Sequence, residues 1–234
     1  MTAQTEAGTQ TRTPLSRERV LQAAVALADR EGLESLTMRN LARELGVEAM
    51  SLYYHVKNKG DILSGIAETI VAEIAAIPSS GDHWKSILRH KVLSARQVLL
   101  RHPWAPRLIE ANNEMSPAMF DYYESVVATL RRGGFSVDLT HHALHVMGSR
   151  LLGFTQELFD DTEGDEPSPE ERAIVSGEWA VQFPYLSEMA MQVTHEGALG
   201  GCDDDFEFEL ALDLILDGLE RLREAEGSAP VSSP

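Results

Sequence analysis

The stretch Leu36–Leu63, LTMRNLARELGVEAMSLYYHVKNKGDIL, decides how the rest of the chain is read. After Thr37, a residue suited to N-capping, Met38, Leu41, Ala42 and Leu45 recur at helical spacing, and Gly46 supplies a stop. Leu36 and Leu41 occupy the positions of a hydrophobic staple. A further short helix is expected over about Glu48 to His55. A helix of about eight residues, a glycine turn and another short helix make a helix-turn-helix unit, whose second helix suits the DNA major groove. On spacing alone, a helical hairpin with no nucleic-acid role is the stronger alternative. The end of the stretch is odd in its setting: Tyr53, Tyr54, His55, Lys57 and Lys59 form an aromatic and basic patch on a chain whose formal charge is −17.

Upstream, a helix is expected from Arg17 to Glu31, capped by Ser16 and stopped by Gly32, with Val20, Leu21, Ala24, Leu27 and Ala28 along one face. It would give the two shorter helices a third wall. Charge follows the same division. Arg12 to Gly60 holds eight Lys/Arg against six Asp/Glu, whereas everything from Asp61 onward is strongly acidic. A mildly basic head on an acidic body can mark a nucleic-acid-facing module. Residues 1–14 read as a polar tail with neither the basic start nor the apolar stretch of a signal peptide. One cysteine, Cys202, fits a reducing cytoplasm, and no apolar run approaches the length of a membrane span.

Downstream the pattern stays helical, with no period-two strand and no internal repeat. Helices are expected over about 59–77, 83–101, 116–132, 136–159, 170–195 (interrupted near Pro184) and 204–226, with the acidic, proline-bearing run DDTEGDEPSPEE as a loop and 227–234 as a disordered tail. The third helix of this series is expected to carry Met119, Tyr122, Tyr123, Val126 and Leu130 inside. Breaks are expected at His102-Pro103 and Pro106. Two seams have heptad spacing: Leu144, Met147, Leu151, Phe154 and Leu158, and Phe208, Leu212, Ile215, Leu219 and Leu222. Flanking apolar residues, including Val146, Leu152, Phe206, Leu210, Leu214 and Leu216, give each helix a second apolar face. We therefore expect a homodimer joined by a four-helix bundle, with Leu144, Met147, Leu151, Phe154, Phe208, Leu212, Ile215 and Leu219 at the interface.

The stretch 36–63 resembles the tetracycline-repressor (TetR) family of bacterial transcription regulators. Residues 133–158 and 205–222 resemble, more weakly, the ligand-binding domain of the branch that includes the tetracycline repressor. The resemblance implies an all-α homodimer that binds a palindromic DNA operator and releases it when a small-molecule effector enters the second domain. It implies a helix-turn-helix domain over 15–60 and a ligand-binding and dimerisation domain over 61–226. It also assigns roles. Thr37 and Arg39 open the helix before the turn, Arg39 reaching a base edge. Ala49, Met50 and Ser51 head the recognition helix, and Tyr53, Tyr54, His55, Lys57 and Lys59 meet sugar and phosphate.

The effector site is less defined. In tetracycline-binding members two histidines help hold the drug with its magnesium ion. The matching places here are Ala75 and a point within RLIEANNE, which has no histidine. Tetracycline is therefore not the expected effector, and no cofactor or resident metal is expected. Candidate lining residues are Trp104, Leu108, Asn112, Phe120, Tyr123, Val127, His145, Trp179 and Phe183. His141 and His145 share a helix face, so a helical-bundle metalloenzyme is one alternative, although no third ligand is evident. A helical adaptor without DNA binding is another.

Overall fold

The computed structural model describes residues 14–111, 116–151, 181–185 and 204–228. Among these residues the secondary structure is entirely helical: α1 (Arg17–Glu31), α2 (Met38–Leu45), α3 (Ala49–Leu52), α4 (Lys59–Ala75), α5 (Trp84–Arg101), α6 (Ala105–Ala111), α7 (Pro117–Arg132), α8 (Val137–Leu151) and α9 (Asp204–Ser228). A 3₁₀ turn, Leu33–Ser35, joins α1 to α2.

The chain groups into two compact units, one holding residues 1–78 and 94–125, the other 79–93 and 126–234. In the first, the helix ends behave as their residues dictate. The Ser16 hydroxyl accepts the Arg19 N–H at 3.2 Å, and the Thr37 hydroxyl accepts the Asn40 N–H at 3.1 Å. Gly46 ends α2 at φ 65°, a left-handed conformation that costs a residue with a Cβ far more. Val20, Ala24, Leu27, Leu41, Leu52, Val56, Ile62, Ile66 and Ile70 then close one apolar core. Val98, Trp104 and Ala105 belong to it too. The head's core thus draws on α4, α5 and α6, and the contact grouping does not divide at residue 60.

In the second unit, Trp84 packs edge-on against Phe135 at 4.6 Å, and a side chain at Gly133 would collide with the Trp84 indole. A ladder of ion pairs fastens α9 to the first half of α5. Arg89 reaches Asp213 at 2.8 Å and Glu209 at 2.6 Å, and Lys85 pairs with Asp217. Acidic residues spaced by four on α9 thus meet basic residues spaced by four on α5. The Arg223 guanidinium donates to the Gly133 carbonyl at 3.3 Å, and the Ser136 hydroxyl donates to Glu226 at 2.8 Å.

Several expectations need correction. α3 ends at Leu52 and gives way to a turn through His55. Pro106 does not break the chain: it lies in the first turn of α6, where its missing N–H would have had no partner anyway. On α7, Val126 and Leu130 are buried as expected, whereas Tyr123 is exposed. The heptad seams are largely internal. Met147, Leu212 and Leu219 are buried by the chain's own packing, and Leu144, Phe208 and Ile215 are half-buried. Met147, Leu212 and Leu219 therefore offer little surface to a partner. The exposed apolar residues of α8 and α9 are the flanking ones, Val146, Leu210 and Leu214, together with Val137 and Leu222. The side chain of Leu151 and all of Phe154 and Leu158 lie outside the described residues, as do the DDTEGDEPSPEE loop, Cys202 and both ends of the chain.

Candidate DNA-binding face and effector domain

The turn after α3 is built from its backbone outward. The His55 and Val56 N–H groups both donate to the Leu52 carbonyl, at 2.8 and 2.9 Å. Leu52 and Val56 are buried, so this knot sinks its apolar residues into the head's core. Tyr53 and Tyr54 between them must point outward. Tyr54 is 89% exposed and Tyr53 49%. Exposing a large aromatic ring forgoes roughly 1.5–3 kcal/mol of burial, and two neighbouring exposed tyrosines offer both ring surface and hydroxyls to a partner.

Met50 is 72% exposed, and Arg39 on α2 and Lys57 and Lys59 beyond the turn are exposed as well. Ser51 and His55 are half-buried. Thr37 is exposed, with its hydroxyl occupied as the α2 cap. Ala49 differs from its expected outward place, since it is half-buried and packs on the head's core. Its short side chain follows the inward face of the turn, which leaves Met50 as the apolar residue available to a groove.

The N-terminus of α4 is tied down by charge. The Asn58 side chain caps it, accepting the Asp61 N–H at 2.9 Å. Asp61 takes both arms of the Arg17 guanidinium, at 3.0 and 2.7 Å, and also accepts the Lys57 N–H at 2.8 Å. Arg17 further donates to the His55 carbonyl at 3.3 Å. The Arg17 hydrogen bonds, then the Lys57 N–H, hold the Asp61 carboxyl down at about 2. Neither partner was singled out from sequence. Sequence offers only an arginine at the first position of α1 and an aspartate in the first turn of α4.

The effector candidates scatter. Trp104 is a core residue, buried with its indole N–H donated to Asp29 at 2.7 Å, and His102 Nδ1 lies 2.7 Å from the same oxygen. Leu108 packs on that core. The pairing partner Asp29 has no local signal in sequence, being one acidic residue among several on α1. Phe120 and Tyr123 are exposed on α7. Val127 is half-buried, His145 and Phe183 are exposed, and Asn112 and Trp179 lie outside the described residues. Tyr122, beside Tyr123, is half-buried, and desolvation raises its phenol to about 12.

His145 stacks edge-on against His141 with ring centroids 4.6 Å apart, and His141 meets His142 at 5.6 Å. All three are exposed, so His145 does not line an apolar wall. Among the described residues no group of three or more His, Cys, Asp or Glu is placed to hold a metal ion. No described helix is long and apolar enough to cross a membrane.

Comparison with known proteins agrees with this architecture. Residues 20–66 match the model for bacterial regulatory proteins of the tetR family, and residues 77–223 match the tetracyclin repressor-like C-terminal domain. The chain is 30% identical over 211 residues to the class C tetracycline repressor of Escherichia coli, covering 89% of this chain and 92% of that protein. It is 29% identical over 217 residues to the HTH-type transcriptional repressor DrrR1 of Streptomyces coeruleorubidus, covering 89% of this chain and 78% of that one. Among solved structures it resembles ActR of Streptomyces coelicolor in complex with actinorhodin, with TM-score 0.71, 25% identity, and coverage of 89% and 96%. The chain is a member of the TetR family of ligand-responsive, DNA-binding bacterial transcription regulators.

Proposed function

We propose that the protein is a cytoplasmic repressor that binds a palindromic operator as a homodimer and lets go when a small molecule occupies the domain formed by later helices. The observation that carries this reading is the exposure of the head's candidate residues: Met50, Tyr53, Tyr54, Lys57 and Lys59 are exposed along a segment whose apolar residues Leu52 and Val56 are buried, and Arg39 is exposed on α2. Arginine pairs bidentately with guanine, so Arg39 reads sequence, with Met50 in apolar contact with a thymine methyl. The tyrosines and lysines grip sugar and phosphate, which sets affinity and register. The body's negative charge confines DNA contact to the head by repulsion.

Dimerisation runs through the apolar residues that α8 and α9 leave uncovered, Val146, Leu210 and Leu214. Effector and DNA compete by population shift. Each favours a different spacing of the two recognition helices, and only one spacing fits successive major grooves. The effector is a fused-ring aromatic compound. The tetracycline repressors and the ActR–actinorhodin complex among the relatives support that class. Tetracycline itself is disfavoured, because Ala75 and RLIEANNE lack the expected histidines. A selection of duplexes from a random pool tests the reading: the wild-type protein should enrich a palindrome. A panel of fused-ring aromatics should include one that dissociates it. Failure to enrich any sequence would contradict the operator reading.

A further inference from the structure

We infer that Arg17 and Asp61 form a brace that positions the DNA-contacting turn, so that an acidic residue in the DNA-facing head raises affinity for DNA instead of lowering it. The inference rests on the operator reading above. Asp61 lies two residues beyond Lys59, at the start of α4, among groups proposed to approach phosphate. A carboxylate there should repel DNA. Yet its geometry commits it inward. Both of its oxygens meet the Arg17 fork, at 3.0 and 2.7 Å, and one also accepts the Lys57 N–H at 2.8 Å.

Arg17 in turn donates to the His55 carbonyl at 3.3 Å. One guanidinium and one carboxylate therefore tie four points together: the first residue of α1, the first turn of α4, the end of the turn after α3, and the backbone of Lys57. That turn is short and held otherwise by two hydrogen bonds to the Leu52 carbonyl and by the buried Leu52 and Val56. Tyr53, Tyr54 and Lys57 hang from it. A planar fork fixes orientation in a way a point charge does not. Because the pair is ionic and partly solvated, its contribution to global stability is small, about 0–1 kcal/mol for such exposed pairs. Its effect on geometry is local.

Two simpler roles compete with the brace. In one, Asp61 is a carboxylate serving only the α4 N-terminus; in the other, Arg17 is a cation touching phosphate directly. Variants separate them by sign. Asp61→Asn removes a negative charge, so electrostatics alone predicts equal or tighter DNA binding; the brace predicts binding about tenfold weaker. Arg17→Lys keeps the charge and removes the fork, so a plain phosphate contact predicts little change; the brace predicts a loss of several-fold. The double variant should bind no more weakly than the weaker single, because both break one unit.

The measurement is fluorescence anisotropy with the duplex the wild-type protein enriches from a random pool, alongside thermal melting of each variant. Weaker binding by both singles, without summation and with melting shifted by only a few degrees, is the expected result. Unchanged or tighter binding by Asp61→Asn, or losses that add, would overturn the inference. If Asp61→Asn fails to fold, Arg17→Lys decides alone. If the wild-type protein enriches no duplex, the operator reading fails and the brace is judged by hydrogen exchange. Amides from Tyr53 to Asn58 should then exchange faster in Arg17→Lys at unchanged global stability, and unchanged exchange would overturn it.

Discussion

The proposed DNA contacts give Tyr54 and Arg39 different work, and substitution separates them. Tyr54→Ala or Lys59→Ala removes a contact with the sugar–phosphate backbone, worth about 1.5–3 kcal/mol for a hydrogen bond to a charged group. Binding should weaken about equally for every sequence. Arg39→Ala should cost about 1–3 kcal/mol on the preferred site and flatten preference at one base position. Affinity measured against a set of single-base variants distinguishes the two outcomes. An Arg39→Ala protein that keeps its full preference would show that the base is read elsewhere. Asp61 sets a pH limit at the same scale. Its folded-state carboxyl is lowered to about 2 from the ordinary 3.8. Its contribution to stability is therefore complete above about pH 4 and is lost as pH falls toward 2. Acid unfolding of wild-type protein should begin at lower pH than that of Arg17→Gln, as followed by far-ultraviolet circular dichroism.

α1 and α2 were legible in the sequence because each carries its own start and stop, whereas α3, with no side-chain cap and no glycine stop, ended earlier than its pattern suggested. Ser16, Thr37, Gly32 and Gly46 sit where local hydrogen bonding and backbone handedness require them, and those are short-range effects. α6 was not legible, because a proline three residues after another reads as a break until its place in a first turn is known. The seams on α8 and α9 misled for a related reason. Heptad spacing says that a helix packs along a stripe, but not whether the covering surface comes from the same chain. Met147, Leu212 and Leu219 are covered internally, and the weaker flanking pattern at Leu210 and Leu214 faces outward. Leu214, 63% exposed, is the position that tests this. Leu214→Glu should convert a dimer to monomers by sedimentation while leaving the melting of the helices nearly unchanged. Met147→Ala, by contrast, should destabilise the chain by about 2–5 kcal/mol, the range for core truncations.

Across the whole molecule, the candidate site divides by how local its physics is. The proposed DNA-contacting residues lie within a run of 23 positions from Thr37 to Lys59, so their spacing and their motif sit on one line of sequence. The described effector candidates come from the turn before α6, from α6, α7 and α8, and from Phe183, and which of them face an interior depends on packing that no local pattern encodes. Trp104 shows the consequence: an aromatic residue suited to a pocket is instead committed to Asp29 within the head's core. The acidity of the body has a similar double meaning. Part of it, at Glu209, Asp213 and Asp217, is internal counter-charge for Arg89 and Lys85 and holds α9 to α5. The remainder makes the body a poor surface for DNA. If a dimer grips DNA through the head alone, as proposed, the head's lysines set how strongly salt weakens binding. With Lys57 and Lys59 from two chains neutralising about four phosphates, affinity for the enriched duplex should fall roughly 100-fold between 0.05 and 0.2 M salt. Lys59→Ala should lower that slope by about two counterions per dimer. Binding that ignores salt, or a slope unchanged by Lys59→Ala, would contradict it.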